Sequence, residues 1–164
     1  MKRLILLVGI PGSGKTTLAQ TLIAKGFERL CADDIRHELY GDAADQGDPK
    51  KVFEIFFERL ENLLKADKDI VVDNINTKLD HRQQIIERAA KFQYTDIRLW
   101  VLDIPLDVCL ARNKNRARQV PEEVIRRSFN TLTRYNQPMS SEGQIVKVKI
   151  DQSGNWQFSS VQNI

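Results

Sequence analysis

The stretch Gly9-Ile10-Pro11-Gly12-Ser13-Gly14-Lys15-Thr16 constrains this chain more than any other. It satisfies the pattern G-x-x-x-x-G-K-S/T in full, and both flanks suit it. LILLV (residues 4–8) is a continuous apolar run, the pattern of a strand covered on both faces. A helix is expected from near Gly14 through TTLAQTLIAK, with Leu18, Leu22 and Ile23 on one side and Gly26 at its end. A glycine turn between a buried strand and a helix N-terminus lets consecutive N–H groups converge on phosphate oxygens, and the helix dipole adds positive potential. Lys15 would place a cation on the β- and γ-phosphates and Thr16 a hydroxyl on Mg²⁺. The expected nucleotide contacts are thus Gly9, Pro11, Gly12, Ser13, Gly14, Lys15, Thr16 and Thr17, with Thr16 as the metal contact.

The remaining pattern alternates. FERLCA (27–32), DIVVD (69–73), DIRLWVLDIP (96–105) and QIVKVKI (144–150) read as further strands. Helices are expected over 33–41, over 48–66 behind Asp48 and Pro49, over 77–92 with Thr77 as cap, over LDVCLAR, and onward from Pro121. Such alternation predicts an α/β, P-loop NTPase fold: a parallel five-stranded sheet with helices on both faces and a basic lid. With 164 residues the chain is expected to hold one P-loop domain, over 1–150. Residues 151–164 are expected to extend that domain, as a small hairpin around Ser153–Asn155 or an edge feature. Ligands on such sheets bind at the carboxyl ends of the strands, where Gly9–Thr16, Asp33–Arg36 and Asp73–Asn76 fall.

Composition narrows the setting. No apolar run approaches the ~20 residues a membrane span requires, and MKRLILLV resembles a leader but runs straight into the glycine loop, so a soluble cytoplasmic protein is expected. A net charge of +3 permits a polyanionic partner without requiring one. Cys31 and Cys109 match no disulfide or metal spacing and read as buried thiols in a reducing cytoplasm. His37 and His81 are isolated and read as surface or helix-cap residues.

What receives the phosphoryl group is the harder question. A GTPase is disfavoured because Arg116 follows Asn113-Lys114-Asn115 where the guanine-reading Asp belongs, and VVDNIN lacks the switch glycine. Large motor ATPases need a longer chain and a strand ending in an Asp-Glu pair. A small P-loop kinase or a nucleotide-binding switch remains. On the acceptor side, Asp33 could orient a hydroxyl and take its proton, while Arg36, three residues on, gripped an adjacent phosphate. Equally, Asp33 could cap a helix and Asp34 complement its dipole. Spacing alone leaves both readings open. Arg112, Lys114, Arg116 and Arg118 form an acid-free basic segment after the fourth strand. Arg112 and Arg116, four apart, can point the same way from a helix, as lid arginines closing on a triphosphate would. The alternative is a solvated basic face, or nucleic-acid contact without catalysis.

In order, GIPGSGKTT, ADDIR, VVDNIN and ARNKNRARQVPEEVIRRSF resemble the polynucleotide 5′-kinase family, the kinase domains of phage polynucleotide kinase-phosphatases and bacterial RNA end-healing enzymes. The resemblance spans roughly residues 1 to 150. It implies transfer of the γ-phosphate of ATP, or another NTP, to the 5′-hydroxyl end of RNA or DNA. Lys15 and Thr16 would hold phosphate and Mg²⁺, and Asp33 would be the general base. Arg36 would grip the acceptor's 3′-phosphate with Asp73 positioning that arginine, and Arg116 would be the principal lid arginine with Arg112 the second. No D-x-D-G-T phosphatase signature or ligase lysine motif occurs, so those activities would need separate partner chains. Gluconate- or shikimate-like and toxin-like sugar-nucleotide kinases share the loop and a downstream Asp. A non-catalytic ATP-binding module is the third reading.

Overall fold

The computed structural model describes residues 2–161; Met1 and the last three residues of the expected C-terminal extension lie outside the described residues. Six strands form one sheet: β1 (Arg3–Val8), β2 (Glu28–Leu30), β3 (Ile70–Val72), β4 (Asp96–Leu102), β5 (Gln144–Ile150) and β6 (Trp156–Ser160), in the order β2-β3-β1-β4-β5-β6. The first five are parallel, as expected. The count of five falls one short, because β6 adds antiparallel to β5, with Ile150 opposite Trp156 and Val146 opposite Ser160.

The sixth strand exists because its turn is well capped. Asp151 accepts the backbone N–H groups of Ser153 and Asn155, both at 2.9 Å, and the Gln157 side chain at 2.9 Å. Those donors, the Asn155 N–H foremost, hold the Asp151 carboxyl below its ordinary range. The turn sits over Ser153–Asn155, where the sequence suggested a hairpin, and the strand is also the sheet edge.

The central strand shows why the sheet is covered twice. Leu4, Leu6 and Val8 of β1 face one core and Ile5 and Leu7 the other, all almost fully buried. The first core is closed by α2 (Ala32–Tyr40), α3 (Pro49–Lys65) and α4 (Leu79–Lys91). Helix α3 contributes Val52, Phe56, Leu60 and Leu64, a four-residue ladder with no exposure, each side chain worth roughly 1.5–3 kcal/mol of burial. It starts where the sequence demands: the Asp48 carboxylate accepts the Lys50 N–H at 3.0 Å and Pro49 occupies the first turn. The second core is closed by α1 (Lys15–Ile23), α5 (Leu106–Lys114) and α6 (Glu122–Asn130).

Thr77 does not cap α4. Lys78 occupies that position with no side-chain cap, and the Leu79 N–H is taken at 2.9 Å by Asn136, far along the chain. The same region holds a buried ion pair absent from any local pattern. Arg82 bonds Glu142 at 2.6 and 3.0 Å and donates to the carbonyls of Asn76 and Asn136, each at 3.0 Å. With every guanidinium partner satisfied, this pair ties α4 to the Asn76 loop after β3 and to the segment leading into β5.

Candidate active site

The glycine loop is built from backbone. β1 ends at Val8, and α1 begins at Lys15 behind Gly14, which sits at φ +96° and has no side chain to cap the helix, leaving its first N–H groups available. Gly12 also lies in the left-handed region at φ +86°, and a Cβ there would meet the Cys109 carbonyl oxygen at 2.6 Å. A Cβ on Gly14 would meet the Trp156 ring at 2.9 Å, so α5 packs one side of the loop and β6 the other. The Gly9 N–H donates to Ile75 at 3.0 Å, fixing the loop to the segment after β3. Ser13 Oγ is buried inside the loop without a hydrogen-bond partner among the described residues. An uncapped helix start, an orphan hydroxyl and glycines whose positive φ turns the loop fit a phosphate.

Lys15 reaches back into this cradle, its Nζ donating to the Ile10 carbonyl at 2.9 Å. The residue as a whole keeps some surface, but protein crowds its ammonium closely enough that burial pushes its pKa down to about 8. Asp73 and Asp33 act against that fall and Arg116 adds to it. Thr16 and Thr17 are exposed beside it and Pro11 is half-buried. Among the described residues no group of three or more His, Cys, Asp and Glu is arranged to hold a metal ion. A Mg²⁺ ion on Thr16 would therefore share the nucleotide's own oxygens.

The acceptor side is built from side chains. Cys31, not Asp33, occupies the N-cap position of α2; Asp33 and Asp34 stand in its first turn. Asp33 Oδ1 accepts from Arg36 Nη1 at 2.6 Å, the i, i+3 pair that the spacing allowed. Arg36 Nε is buried and has no partner among the described residues, an open donor beside the carboxylate. Asp73 departs from expectation: its carboxylate takes Arg29 Nε at 2.8 Å, not Arg36, and Arg29 also pairs with Asp34. Cys31 and Cys109 are free buried thiols, and burial pushes Cys31 up to about 11, which keeps it inert.

The basic segment divides. Helix α5 ends at Lys114, so Arg116 lies beyond it and does not share its face with Arg112. Arg112 Nη1 reaches the glycine loop, 3.3 Å from the Gly12 carbonyl and 3.5 Å from that of Ser13. Asn113 closes the loop that follows: its amide donates to the Val120 carbonyl at 2.8 Å and accepts the Val120 N–H at 2.9 Å. Arg116 is thereby presented, exposed, from a short closed loop. Beside the loop's outer wall, a cleft of about 550 Å³ runs between Ile104, Pro105, Val108 and Arg112 on one side and Lys149 and Ile150 on the other.

A phosphate cradle, a carboxylate beside an open guanidinium and a basic loop over both make a phosphotransferase site. The AAA domain family profile matches residues 4–139. The chain belongs to that family. Among characterised relatives, the bifunctional polynucleotide phosphatase/kinase of Schizosaccharomyces pombe is 27% identical over 151 residues, covering 87% of this chain and 32% of that protein. The chain spans only 21% to 32% of the length of the first curated relatives it matches. A chain of the Pnkp1/Rnl/Hen1 RNA repair complex superposes with a TM-score of 0.70 at 24% identity, over 79% of this chain and 43% of that one. A gluconokinase from Sinorhizobium meliloti superposes with a TM-score of 0.61 at 20% identity, over 92% and 84%. These neighbours fix the P-loop kinase fold. No helix among the described residues is long and apolar enough to cross a membrane.

Three residues at the site escaped the sequence pattern. Arg29 lies in a strand and gave no sign that it would clamp Asp34 and Asp73. Arg118 looked like one more cation of the basic run. Trp156, in a tail that resembled nothing, sits against Gly14. Only the hairpin turn ahead of it was visible, and a turn does not say what its second strand will touch.

Proposed function

We propose that this chain is a polynucleotide 5′-hydroxyl kinase domain that moves the γ-phosphate of ATP, or another NTP, to the 5′-OH end of RNA or DNA. The observation that carries the reading is the Asp33–Arg36 pair, with an Arg36 Nε left without a partner among the described residues. A hydroxyl next to a phosphate matches that pair group for group.

In this reading Asp33 accepts the proton of the 5′-hydroxyl as the oxygen bonds to the γ-phosphorus and the bond to the β,γ-bridging oxygen breaks. Arg36 holds the acceptor's 3′-phosphate through its free Nε. Lys15 and the N–H groups of Gly12 and of Gly14 through Thr16 hold the β- and γ-phosphates, and Arg116 neutralises charge that grows during transfer. Arg112, already on the loop carbonyls, steadies the cradle and borders the cleft that takes the donor's base. Asp73 acts on Lys15 and through Arg29. Mg²⁺, held by the Thr16 hydroxyl, supplies further charge neutralisation when bound. Phosphatase or ligase partners, and a cytoplasmic setting, belong to the same proposal.

A second reading is favoured by one observation. The loop between α2 and α3 carries Asp42, Asp45 and Asp48 and no cation, an unfavourable neighbour for a polyanion. A small-metabolite kinase would tolerate it. Release of ADP, followed with a coupled enzyme, separates the two. Stimulation by a 5′-OH oligonucleotide, with an apparent KM that rises steeply with salt, supports the first; stimulation only by a sugar or sugar acid supports the second.

A further inference from the structure

Arg118 extends from the basic loop to a different part of the site from Arg112, which reaches the glycine loop from α5. Arg118 Nη1 lies 3.7 Å from Asp33 Oδ2, and its Nη2 donates at 3.1 Å to the carbonyl of Ala43, in the loop after α2. Asp33 thus stands between two guanidinium groups, Arg36 on one oxygen and Arg118 on the other. The contacts differ in kind. Arg36 is 14% exposed and close; Arg118 is 42% exposed and meets an Asp33 side chain that is 50% exposed. An ion pair so open to water is weakly held and exchanges readily for a better anion. Asn113 bonds fix the ends of the loop that carries Arg118, and Gln119 adds a 2.9 Å bond to the Lys114 carbonyl. The guanidinium is therefore delivered to the acceptor side by the fold rather than by chance.

We infer that Arg118 is the acceptor-side arginine of the lid: it binds a backbone phosphate of the incoming nucleic-acid strand, so that the lid spans donor through Arg112 and Arg116 and acceptor through Arg118. The inference rests on the polynucleotide kinase reading above. When the strand's phosphate arrives, Arg118 moves from Asp33 to that phosphate and leaves the carboxylate free to take the hydroxyl proton. It also supplies a cation at the mouth where the Asp42–Asp48 loop supplies only acids.

The test compares wild type, Arg118→Ala, Arg118→Lys and Arg126→Ala, the last removing an equal charge from an exposed pair with Glu122 on α6. Steady-state transfer from ATP to a single-stranded 5′-OH oligonucleotide is measured at several salt concentrations. Losing one charged hydrogen-bonding contact should raise the acceptor KM by about tenfold in Arg118→Ala, leave the ATP KM within about twofold, and be partly reversed in Arg118→Lys. The slope of log KM for the acceptor against log salt should fall by about 0.7 in Arg118→Ala, the share of one single-strand phosphate. Arg126→Ala should match wild type in both. An unchanged acceptor KM and slope in Arg118→Ala, or an equal rise in the ATP KM, overturns the inference alone. A wild-type protein that transfers nothing to any oligonucleotide overturns the kinase reading and takes the inference with it.

Discussion

The two halves of the site are made of different material. The donor half is backbone: consecutive residues from Gly9 to Thr16, two positive-φ glycines, a helix start and one lysine folded back onto it. The acceptor half is side chain: Asp33, Arg36, Arg29, Asp73 and Arg118, brought from β2, α2, the end of β3 and the lid, joined by ion pairs and partly open to water. A backbone cradle is rigid and recognises any phosphate. A web of exchangeable ion pairs can be remade around a particular acceptor, which is how one phosphate-loop fold serves many substrates.

That difference can be broken from either side. Asp33→Ala should lower kcat on the order of 10²–10⁴-fold with ATP affinity preserved, the loss of a general base on the acceptor side. Rapid-quench turnover beside equilibrium ATP binding would read both, and comparable losses in the two would erase the distinction between halves. Gly12→Ala should do the reverse: its Cβ runs into the Cys109 carbonyl at 2.6 Å, at a φ of +86°. With strain of about 1–3 kcal/mol at such a position, ATP should bind about tenfold or more weakly, by calorimetry. Arg36→Ala should raise the KM of a 3′-phosphorylated acceptor by about tenfold and spare that of ATP. An acceptor without the 3′-phosphate should be nearly indifferent to the change.

The smallest effect is in pH. In the free protein Lys15 titrates near 8, and a triphosphate raises that value by favouring the ammonium. The lysine's contribution to ATP affinity is thus fully present below about 8 and fades as pH rises through the higher value of the complex. Calorimetry at pH 8 in buffers of different ionisation enthalpy should show uptake of a fraction of a proton on ATP binding, absent in Lys15→Met. Uptake that persists in the variant would place the titrating group elsewhere.

Legibility in the sequence followed the same divide. The loop, its flanking strand and helix, and the parallel character of five strands could be read because each rests on local pattern and on alternation along the chain. Helix α3 was legible to its cap for the same reason. The Asp33–Arg36 pair was legible as a spacing, three residues on a helix. Asp73 was not: the resemblance assigned it to Arg36, whereas β2 and β3 pair directly and bring Arg29 next to it. Arg116 left the helix because α5 stops at Lys114, where Asn113 turns its amide to Val120, a contact seven residues away. The buried Arg82–Glu142 pair and the approach of Trp156 to Gly14 join segments 60 or more residues apart, beyond any local pattern.

The most direct measurement is transfer of labelled γ-phosphate from ATP, with Mg²⁺, to a short oligonucleotide bearing a 5′-hydroxyl, with the same oligonucleotide already 5′-phosphorylated as control. The account predicts label on the first and none on the second. Label on neither, from a protein that still binds ATP, would contradict it.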